Sequence, residues 1–126
     1  MAARRTPPQR RAALRHGMHA ELAAAVALSF KFYRVLAWRY RGGGGEIDLV
    51  VQRGRTVAFV EVKARADLNA AVLAIGSVKQ ERFARAVRHW LVRNPWAAGL
   101  TLRCDAVLIA PRRWPRHLPD AFPLPF

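Results

Sequence analysis

Cysteine, acidic residues and long apolar runs are all scarce in this chain of 126 residues. The single cysteine excludes an intramolecular disulfide framework and a zinc site built on a CxxC motif, and it favours a reducing compartment. The longest apolar run, residues 22–28, is far shorter than the roughly 20 residues that span a bilayer. The N-terminal segment also lacks the apolar stretch of a secretory signal. We therefore expect a cytoplasmic protein without a membrane-spanning segment.

The scarcity of acids leaves a strongly basic chain. Eight acidic residues stand against 22 lysines and arginines, which gives a net charge of +14. Such a charge favours a polyanionic partner, either nucleic acid or an anionic membrane face. Because 52% of the residues are apolar, the chain can also fill a core, and its length suits one domain. An arginine-rich composition can, however, reflect the genome as readily as a ligand.

The charge and the prolines divide the chain into three parts. Residues 1–16 contain five arginines and no acid, which predicts a flexible basic arm. Residues 17–110 form the predicted folded domain and carry about half of the net charge. Residues 111–126 contain five prolines, so this C-terminal tail can neither enter the interior of a sheet nor continue a helix.

Hydrophobic periodicity predicts the elements of the folded domain. In chain order they are a helix at 19–30, strands at 33–40, 47–52 and 56–63, a helix at 77–93 and a strand at 100–110. Leu22, Val26 and Phe30, four residues apart, form the apolar stripe of the first helix. A flexible glycine break at 42–45 and a tight turn at Arg53–Gly54 separate the first three strands. The order α-β-β-β-α-β predicts an α/β domain with a mixed sheet.

The third strand ends in charged residues although its earlier residues are apolar. Residues 57–60 are apolar on both faces, as in a buried central strand, and Glu61, Val62 and Lys63 follow them. Strand alternation places Glu61 and Lys63 on one face and Val62 on the other. Such a pair is commonly a surface ion pair of little consequence. The apolar run before it favours instead buried charges, which need partners because an unpaired buried charge is costly.

Asp48 on the second strand is the predicted partner of these charges. A two-residue turn at Arg53–Gly54 sets Asp48 opposite Phe59 and makes Glu61 its diagonal neighbour on the same face. A three-residue turn would send Asp48 to the other face. Two carboxylates and a backbone carbonyl suit Mg²⁺, which polarises phosphoryl oxygens and activates water. Lys63 would orient that water or stabilise charge in the transition state.

The longer strings around these residues resemble a known family. Residues 45–50 (GEIDLV) and 59–65 (FVEVKAR), together with residues 17–21 upstream and Lys79 downstream, are similar to the YraN family, also called uncharacterised protein family 0102. The spacing D-x12-E-x-K within them resembles the PD-(D/E)XK nuclease motif. The resemblance covers about residues 17–109. It implies a restriction-endonuclease-like fold, similar to that of Holliday-junction resolvases.

The resemblance also implies a function and a set of site residues. It implies a divalent-metal-dependent endonuclease that hydrolyses phosphodiester bonds in plain or branched DNA, and a homodimer that cuts two strands symmetrically. Asp48, Glu61 and the Val62 carbonyl would bind Mg²⁺ or Mn²⁺, with Lys63 as the catalytic lysine. Glu21 matches a further acid that such nucleases carry on the first helix. A glutamate at a helix start also commonly serves only the helix dipole.

Further side chains near the predicted site are candidates for substrate or metal contacts. The candidate contacts to nucleic acid are Arg65, Lys79, Gln80, Arg82 and Arg85. A row of basic residues on a helix is often a solvent-exposed surface without a binding role. Because this row lies beside a site predicted to bind phosphate, we expect its residues to contact phosphate groups. Glu46 shares the face of Asp48 and is either a third metal ligand or a cap of the glycine loop.

The sequence departs from the family pattern at three places outside the predicted site. Phe32 stands where relatives usually turn with glycine, Cys104 stands where an aromatic residue is common, and the glycine run 42–45 is longer than usual. These differences concern local packing. They leave the predicted metal ligands and the lysine in place.

Two other functions fit the same sequence. A non-catalytic nucleic-acid-binding module would keep the fold and the charge, and its binding would be indifferent to metal and to the replacement of Asp48. An adaptor protein would instead dock a partner or an anionic membrane through the basic arm and the proline-rich tail. RNA in place of DNA is a further alternative for the nucleic acid.

Overall fold

A mixed five-stranded sheet with helices packed on its two faces forms the framework of the protein. The computed structural model describes residues 19–67, 69, 71 and 80–126. The elements within these residues are α1 (19–29), β1 (Arg34–Gly42), β2 (Gly45–Arg53), β3 (Thr56–Ala64), α2 (Gln80–Arg93), β4 (Thr101–Ile109) and β5 (Arg116–Phe122). The predicted α/β class with a restriction-endonuclease-like core is confirmed. The basic arm predicted at 1–16 lies outside the described residues, and no described helix is long and apolar enough to cross a membrane.

The strands follow one another across the sheet in chain order. β1, β2 and β3 form an antiparallel meander, while β3 and β4 are parallel, and α2 lies in the connection between them. β5 pairs antiparallel with β4 at the sheet edge. This strand lies in the stretch that the sequence analysis assigned to a proline-rich tail. An edge position tolerates Pro119, because an outward-facing backbone nitrogen needs no partner in the ladder.

The hydrophobic core lies on both faces of the sheet. On one face α2 packs through Phe83, Val87 and Trp90, and the Trp90 ring meets Phe59 of β3 edge-on at 5.4 Å between centroids. On the other face α1 packs through several alanines and Leu28. Because alanine side chains are short, α1 can lie close to the strands.

The predicted apolar stripe of α1 does not face the core. Leu22, Val26 and Phe30 are 54%, 43% and 71% exposed, while the alanine face is buried. The spacing of the large side chains therefore identified the helix but not its packing face. The outer surface of α1 carries apolar side chains that the rest of the described chain does not cover.

The glycine run Gly42–Gly45 forms a tight turn rather than the flexible break that we expected. Gly43 and Gly44 have φ of +61° and +79° and join β1 to β2, while the outer two glycines pair with each other. A Cβ on Gly45 would collide with the carbonyl oxygen of Arg82 in α2. Glycine is required here because the backbone of the turn lies directly against the helix.

Phe32 ends α1 in a conformation that favours glycine. Its φ is +68°, and the N–H groups of Phe32 and Tyr33 donate to the carbonyls of Ser29 and Leu28. These two bonds form a Schellman motif with Phe32 at the position that glycine usually occupies. A side chain in this conformation costs about 1 kcal/mol. The departure from the family pattern at Phe32 thus coincides with a strained backbone.

Candidate active site

The pairing of β2 with β3 decides which side chains meet. The two-residue turn is Gly54–Arg55, one position later than predicted, and Val50 pairs with Phe59 where we expected Asp48. The predicted pairing is therefore wrong by two residues. Because side chains alternate with a period of two, this shift leaves Asp48 on the same face as Glu61. Continuing the observed register brings Asp48 level with Glu61, nearer than the diagonal position that we predicted.

Asp48 connects β2 to β3 beyond the last paired residues of the two strands. Its Oδ2 accepts a hydrogen bond from the backbone N–H of Val62 at 2.7 Å. This bond fixes the carboxylate beside the end of β3, next to Glu61. The Val62 carbonyl, our predicted third ligand, belongs to the same short segment, so the three predicted ligands are neighbours.

Glu61 and Lys63 form a buried ion pair. The distance from Lys63 Nζ to Glu61 Oε1 is 2.8 Å, and the two residues are 6% and 8% exposed respectively. A surface ion pair, the alternative considered from the sequence, is therefore wrong. Burying both charges is costly unless the geometry is good and further partners are present. The pair thus places one fixed positive and one fixed negative charge beside Asp48.

A cavity of about 140 Å³ opens at these residues. Its lining comprises Glu46, Asp48, Glu61, Val62, Lys63, Arg82 and Phe83. Arg82 of α2 is thus the predicted phosphate contact that reaches the site. Glu46, for which a third ligand and a loop cap were the alternatives, lines the cavity with its carboxylate 3.9 Å from Arg41 Nε.

Glu21 of α1 is bound to β1, the strand next to β2. It is buried, and its Oε2 lies 2.7 Å from Nε of Arg39 on β1. Its charge also acts on Asp48. Glu21 is therefore near the predicted metal ligands. A glutamate that served only the helix dipole would not need the buried ion pair with Arg39.

The crowding of acids changes the proton affinity of Asp48. The pKa of Asp48 is raised to about 6, mainly because burial disfavours the charged form and in smaller part because of the negative charges of Glu21, Glu61 and Glu46. The hydrogen bond from Val62 works in the opposite direction. A carboxylate that is destabilised by neighbouring carboxylates is one that a cation would stabilise.

The residues of the cavity fit Mg²⁺ or Mn²⁺ in their donor chemistry. Asp48 and Glu61 supply carboxylate oxygens, and Mg²⁺ commonly takes only one or two carboxylates beside water and substrate phosphate. Within the described part of the chain, no group of three or more His, Cys, Asp or Glu stands close enough to enclose a metal ion. The arrangement therefore fits a cation that is shared with substrate better than one fully enclosed by protein.

The raised pKa gives a stability prediction for Asp48→Asn. The folded state holds a proton on Asp48 up to about pH 6, whereas the unfolded chain releases it near pH 4, so wild-type stability falls as pH rises through this window. Asparagine does not titrate, so the variant does not lose stability in this window, and its amide oxygen can still accept the hydrogen bond from the Val62 N–H. In EDTA at pH 8 we expect Asp48→Asn to be more stable than wild type by on the order of 2 kcal/mol. Urea unfolding from pH 4 to 8 measures the difference, which should vanish near pH 4; a less stable variant at pH 8 contradicts the prediction.

The other predicted nucleic-acid contacts are dispersed. Arg85 is exposed and pairs with Glu81 at 2.9 Å, and Arg65 is exposed and donates to the carbonyl of Ala64. Gln80 begins the described part of α2, and Lys79 lies outside the described residues. Among the arginines of this set, all of which are described, Arg82 lines the cavity and Arg65 and Arg85 do not.

Sequence reasoning missed a second buried charge cluster, centred on Asp105 of β4. Asp105 is fully buried, and both its oxygens accept hydrogen bonds from Arg103 at 2.8 Å. Nε2 of His117 donates to it at 2.7 Å, as does the backbone N–H of Asp120 at 2.9 Å. An aspartate between apolar residues of a predicted strand was the signal that could have revealed it. The cluster ties β5 to β4 and lies outside the cavity.

Comparison with known proteins identifies the family. A sequence profile of the uncharacterised protein family UPF0102 matches residues 20–109. The chain is 60% identical over 114 residues to a UPF0102 protein of Methylorubrum extorquens, covering 90% of this chain and 89% of that protein. It is 58% identical over 116 residues to a UPF0102 protein of Methylobacterium nodulans, covering 92% and 90%. The chain therefore belongs to the uncharacterised protein family UPF0102.

Proposed function

We propose that this protein is a divalent-metal-dependent endonuclease that hydrolyses phosphodiester bonds in DNA. The observation that carries the proposal is the meeting of Asp48, Glu61 and Lys63 in one cavity at the end of a buried strand. Bringing two carboxylates and one ammonium group into a partly enclosed site costs free energy of folding, because the charged groups lose water. Phosphodiester chemistry is a use that requires these groups together.

Each side chain has a distinct part in the proposed reaction. Asp48 and Glu61 would hold Mg²⁺ or Mn²⁺, and Val62 fixes the Asp48 carboxylate through its N–H. The bound cation supplies Lewis-acid chemistry at the phosphate. Lys63 places a positive charge beside the cavity, where it stabilises the negative charge that develops on phosphate oxygens. Arg82, at the cavity wall, is positioned to bind a further phosphate oxygen.

A non-catalytic nucleic-acid-binding module is the second candidate, and one observation favours it. The ammonium group of Lys63 already neutralises Glu61 at 2.8 Å, so the ion pair is complete without a metal. In that case the net charge of +14 would attract nucleic acid and the cavity would be structural. Homodimer formation, which the family resemblance implies, remains a prediction under either function.

A cleavage assay separates the two candidates. Labelled duplex, single-stranded and branched DNA are incubated with the protein in EDTA, Ca²⁺, Mg²⁺ or Mn²⁺. We expect cleavage only with Mg²⁺ or Mn²⁺, and we expect Asp48→Asn to lose it because one metal ligand is gone. Since Asp48→Asn should be at least as stable as wild type at pH 8, its loss of activity would not reflect unfolding. Absence of cleavage by wild type on all substrates, with salt-sensitive binding that ignores metal, would favour the binding module.

A further inference from the structure

A groove between α1 and β1 borders the candidate active site. It has a volume of about 450 Å³ and is lined by His19, Glu21 and Leu22 of α1 and by Trp38 and Arg39 of β1. Leu22 is 54% exposed and Trp38 is 49% exposed. The described chain thus leaves an indole ring and a leucine side chain open to solvent in one groove. Exposed apolar surface of this kind commonly marks a binding site.

The backbone of β1 is distorted at this groove. Successive strand residues normally point to opposite faces of a sheet. Trp38 and Arg39 nevertheless both line the groove, and the φ of Arg39 is +44°. A non-glycine residue in the left-handed region is strained, and such strain is often found at functional sites. Here the distortion places an aromatic ring and a guanidinium group on one surface.

The groove and the active-site cavity are linked through charged side chains. Glu21 and Arg39 line the groove and form an ion pair at 2.7 Å. The same Glu21 acts electrostatically on Asp48, and Arg39 feels the charge of Asp48 in turn. On β1, Arg39 lies between Trp38, which pairs with Leu49, and Tyr40, which pairs with Ile47, so Arg39 is level with Asp48 on the neighbouring strand. A ligand in the groove would therefore lie one strand away from a proposed metal ligand.

We propose that this groove binds an unpaired nucleobase of the DNA substrate, with Trp38 as the stacking surface and Leu22 as the opposite apolar wall. The proposal rests on the proposed nuclease function and specifies its substrate class. A base inside a duplex is stacked on both sides and would have to be extruded at a cost of a few kcal/mol, so the groove favours a base from a single strand, a flap or a branch point. Stacking on an aromatic side chain accepts every base, because each has a π-face.

The charge of the chain favours nucleic acid over a second copy as the occupant. Two chains of net charge +14 repel each other, and self-association through a small apolar patch must overcome that repulsion. Nucleic acid matches both features of this surface, because its phosphates can pair with the basic side chains and its flat bases can stack on the indole ring. A second copy docked on α1 would also bury the charged groups of Glu21 and Arg39, which line the groove.

Binding measurements with Trp38→Ala test the proposal, using Trp96→Ala as the matched control. Trp96 is 52% exposed on the short turn Pro95–Ala97, and neither the cavity nor the groove includes it. Fluorescence anisotropy in EDTA, which prevents cleavage, follows a single-stranded 12-mer and a blunt duplex of the same sequence. For Trp38→Ala we expect single-strand affinity to fall about tenfold while duplex affinity is unchanged. Trp38→Phe should retain most of the affinity, and Trp96→Ala should bind like wild type.

Several outcomes would overturn the proposal. Unchanged single-strand affinity in Trp38→Ala, or an equal loss on single strand and duplex, removes the stacking role. A wild-type dimer in analytical ultracentrifugation that becomes a monomer in Trp38→Ala identifies the groove as an interface between copies. Cleavage of the same DNAs in Mg²⁺ separates the two proposals. If Trp38→Ala loses only single-strand affinity and wild type cleaves no DNA, the base-binding groove is supported and the nuclease function is refuted. If wild type cleaves DNA and Trp38→Ala binds single strands normally, the nuclease function is supported and the base-binding groove is refuted.

Discussion

Under the proposed nuclease function, we expect Lys63→Met to cleave DNA about 10³-fold more slowly than wild type while binding Mg²⁺ at least as tightly. The rate falls because methionine cannot stabilise the charge that develops on phosphate, an effect that commonly amounts to 10²–10⁴-fold. Metal binding persists because Lys63 is not a ligand. In wild type its ammonium group is paired with Glu61 at 2.8 Å, so replacing Lys63 frees the Glu61 carboxylate for the metal. The comparison with Asp48→Asn is decisive, since that variant should lose both cleavage and metal affinity. Single-turnover cleavage and isothermal titration calorimetry measure the two properties.

The same Lys63→Met substitution has a stability signature. Without metal, Glu61 becomes an unpaired buried charge, which costs about 3 kcal/mol or more. Mg²⁺ should restore much of this stability by pairing with Glu61, and urea unfolding with and without Mg²⁺ measures the recovery. Arg93→Met, at an exposed position in the last turn of α2, is the control for loss of one positive charge. If Lys63→Met cleaves at the wild-type rate, Lys63 has no catalytic role; if it ignores Mg²⁺, Glu61 is not a ligand.

Asp105→Ala will lose about 3–5 kcal/mol of stability, although Asp105 lies outside the active-site cavity. The substitution leaves Arg103, His117 and the Asp120 N–H without their common acceptor. Burial alone would raise the pKa of Asp105, but the hydrogen bonds from His117 and Arg103 outweigh it and lower the pKa to about 2. The carboxylate thus stabilises the fold fully above about pH 4, and this contribution is lost as pH falls toward 2.

Urea unfolding at several pH values tests the role of Asp105. The stability difference between wild type and Asp105→Ala should shrink as pH falls below about 4, where the carboxylate of wild type becomes protonated. Asp105→Asn, which retains an acceptor for the Asp120 N–H, should lose less and provides a measurable variant if alanine prevents folding. Glu81→Ala removes an exposed carboxylate paired with Arg85 and should change stability by less than about 0.5 kcal/mol. A loss for Asp105→Ala as small as that of Glu81→Ala would contradict a structural role for the cluster.

Local sequence patterns were sufficient for the described helices and for the first four strands, and they brought Asp48, Glu61 and Lys63 together, but they did not predict β5. The hairpin pattern placed Asp48 on the face of Glu61 and Lys63, and that conclusion survived a turn predicted one position too early. It survived because the resulting error in pairing was two residues, which preserves the face. The packing face of α1 could not be predicted in this way. Its large apolar residues form a stripe, but the alanines are the residues that reach the sheet.

Contacts between distant segments could not be predicted from the sequence. Asp105 meets His117 across β4 and β5, a pairing that required the proline-rich segment to join the sheet edge. Likewise, the left-handed conformation of Arg39 is invisible in the sequence, yet it brings Trp38 and Arg39 to one groove. Asp105 itself has a local signal, because it stands between apolar residues, but its partner on β5 and the backbone conformation of Arg39 have none.

The sequence by itself determined the family, the α/β class and the grouping of Asp48, Glu61 and Lys63, since these depend on short-range periodicity and on one hairpin. Only the tertiary structure decided that Arg39 pairs with Glu21 and that Lys63 is paired and buried. It also decided that, of the three predicted arginine contacts, Arg82 reaches the cavity and the other two do not. The physical reason is the range of the interactions. Alternation is fixed by neighbouring residues, whereas burial and ion pairing are fixed by elements that meet only in the folded chain.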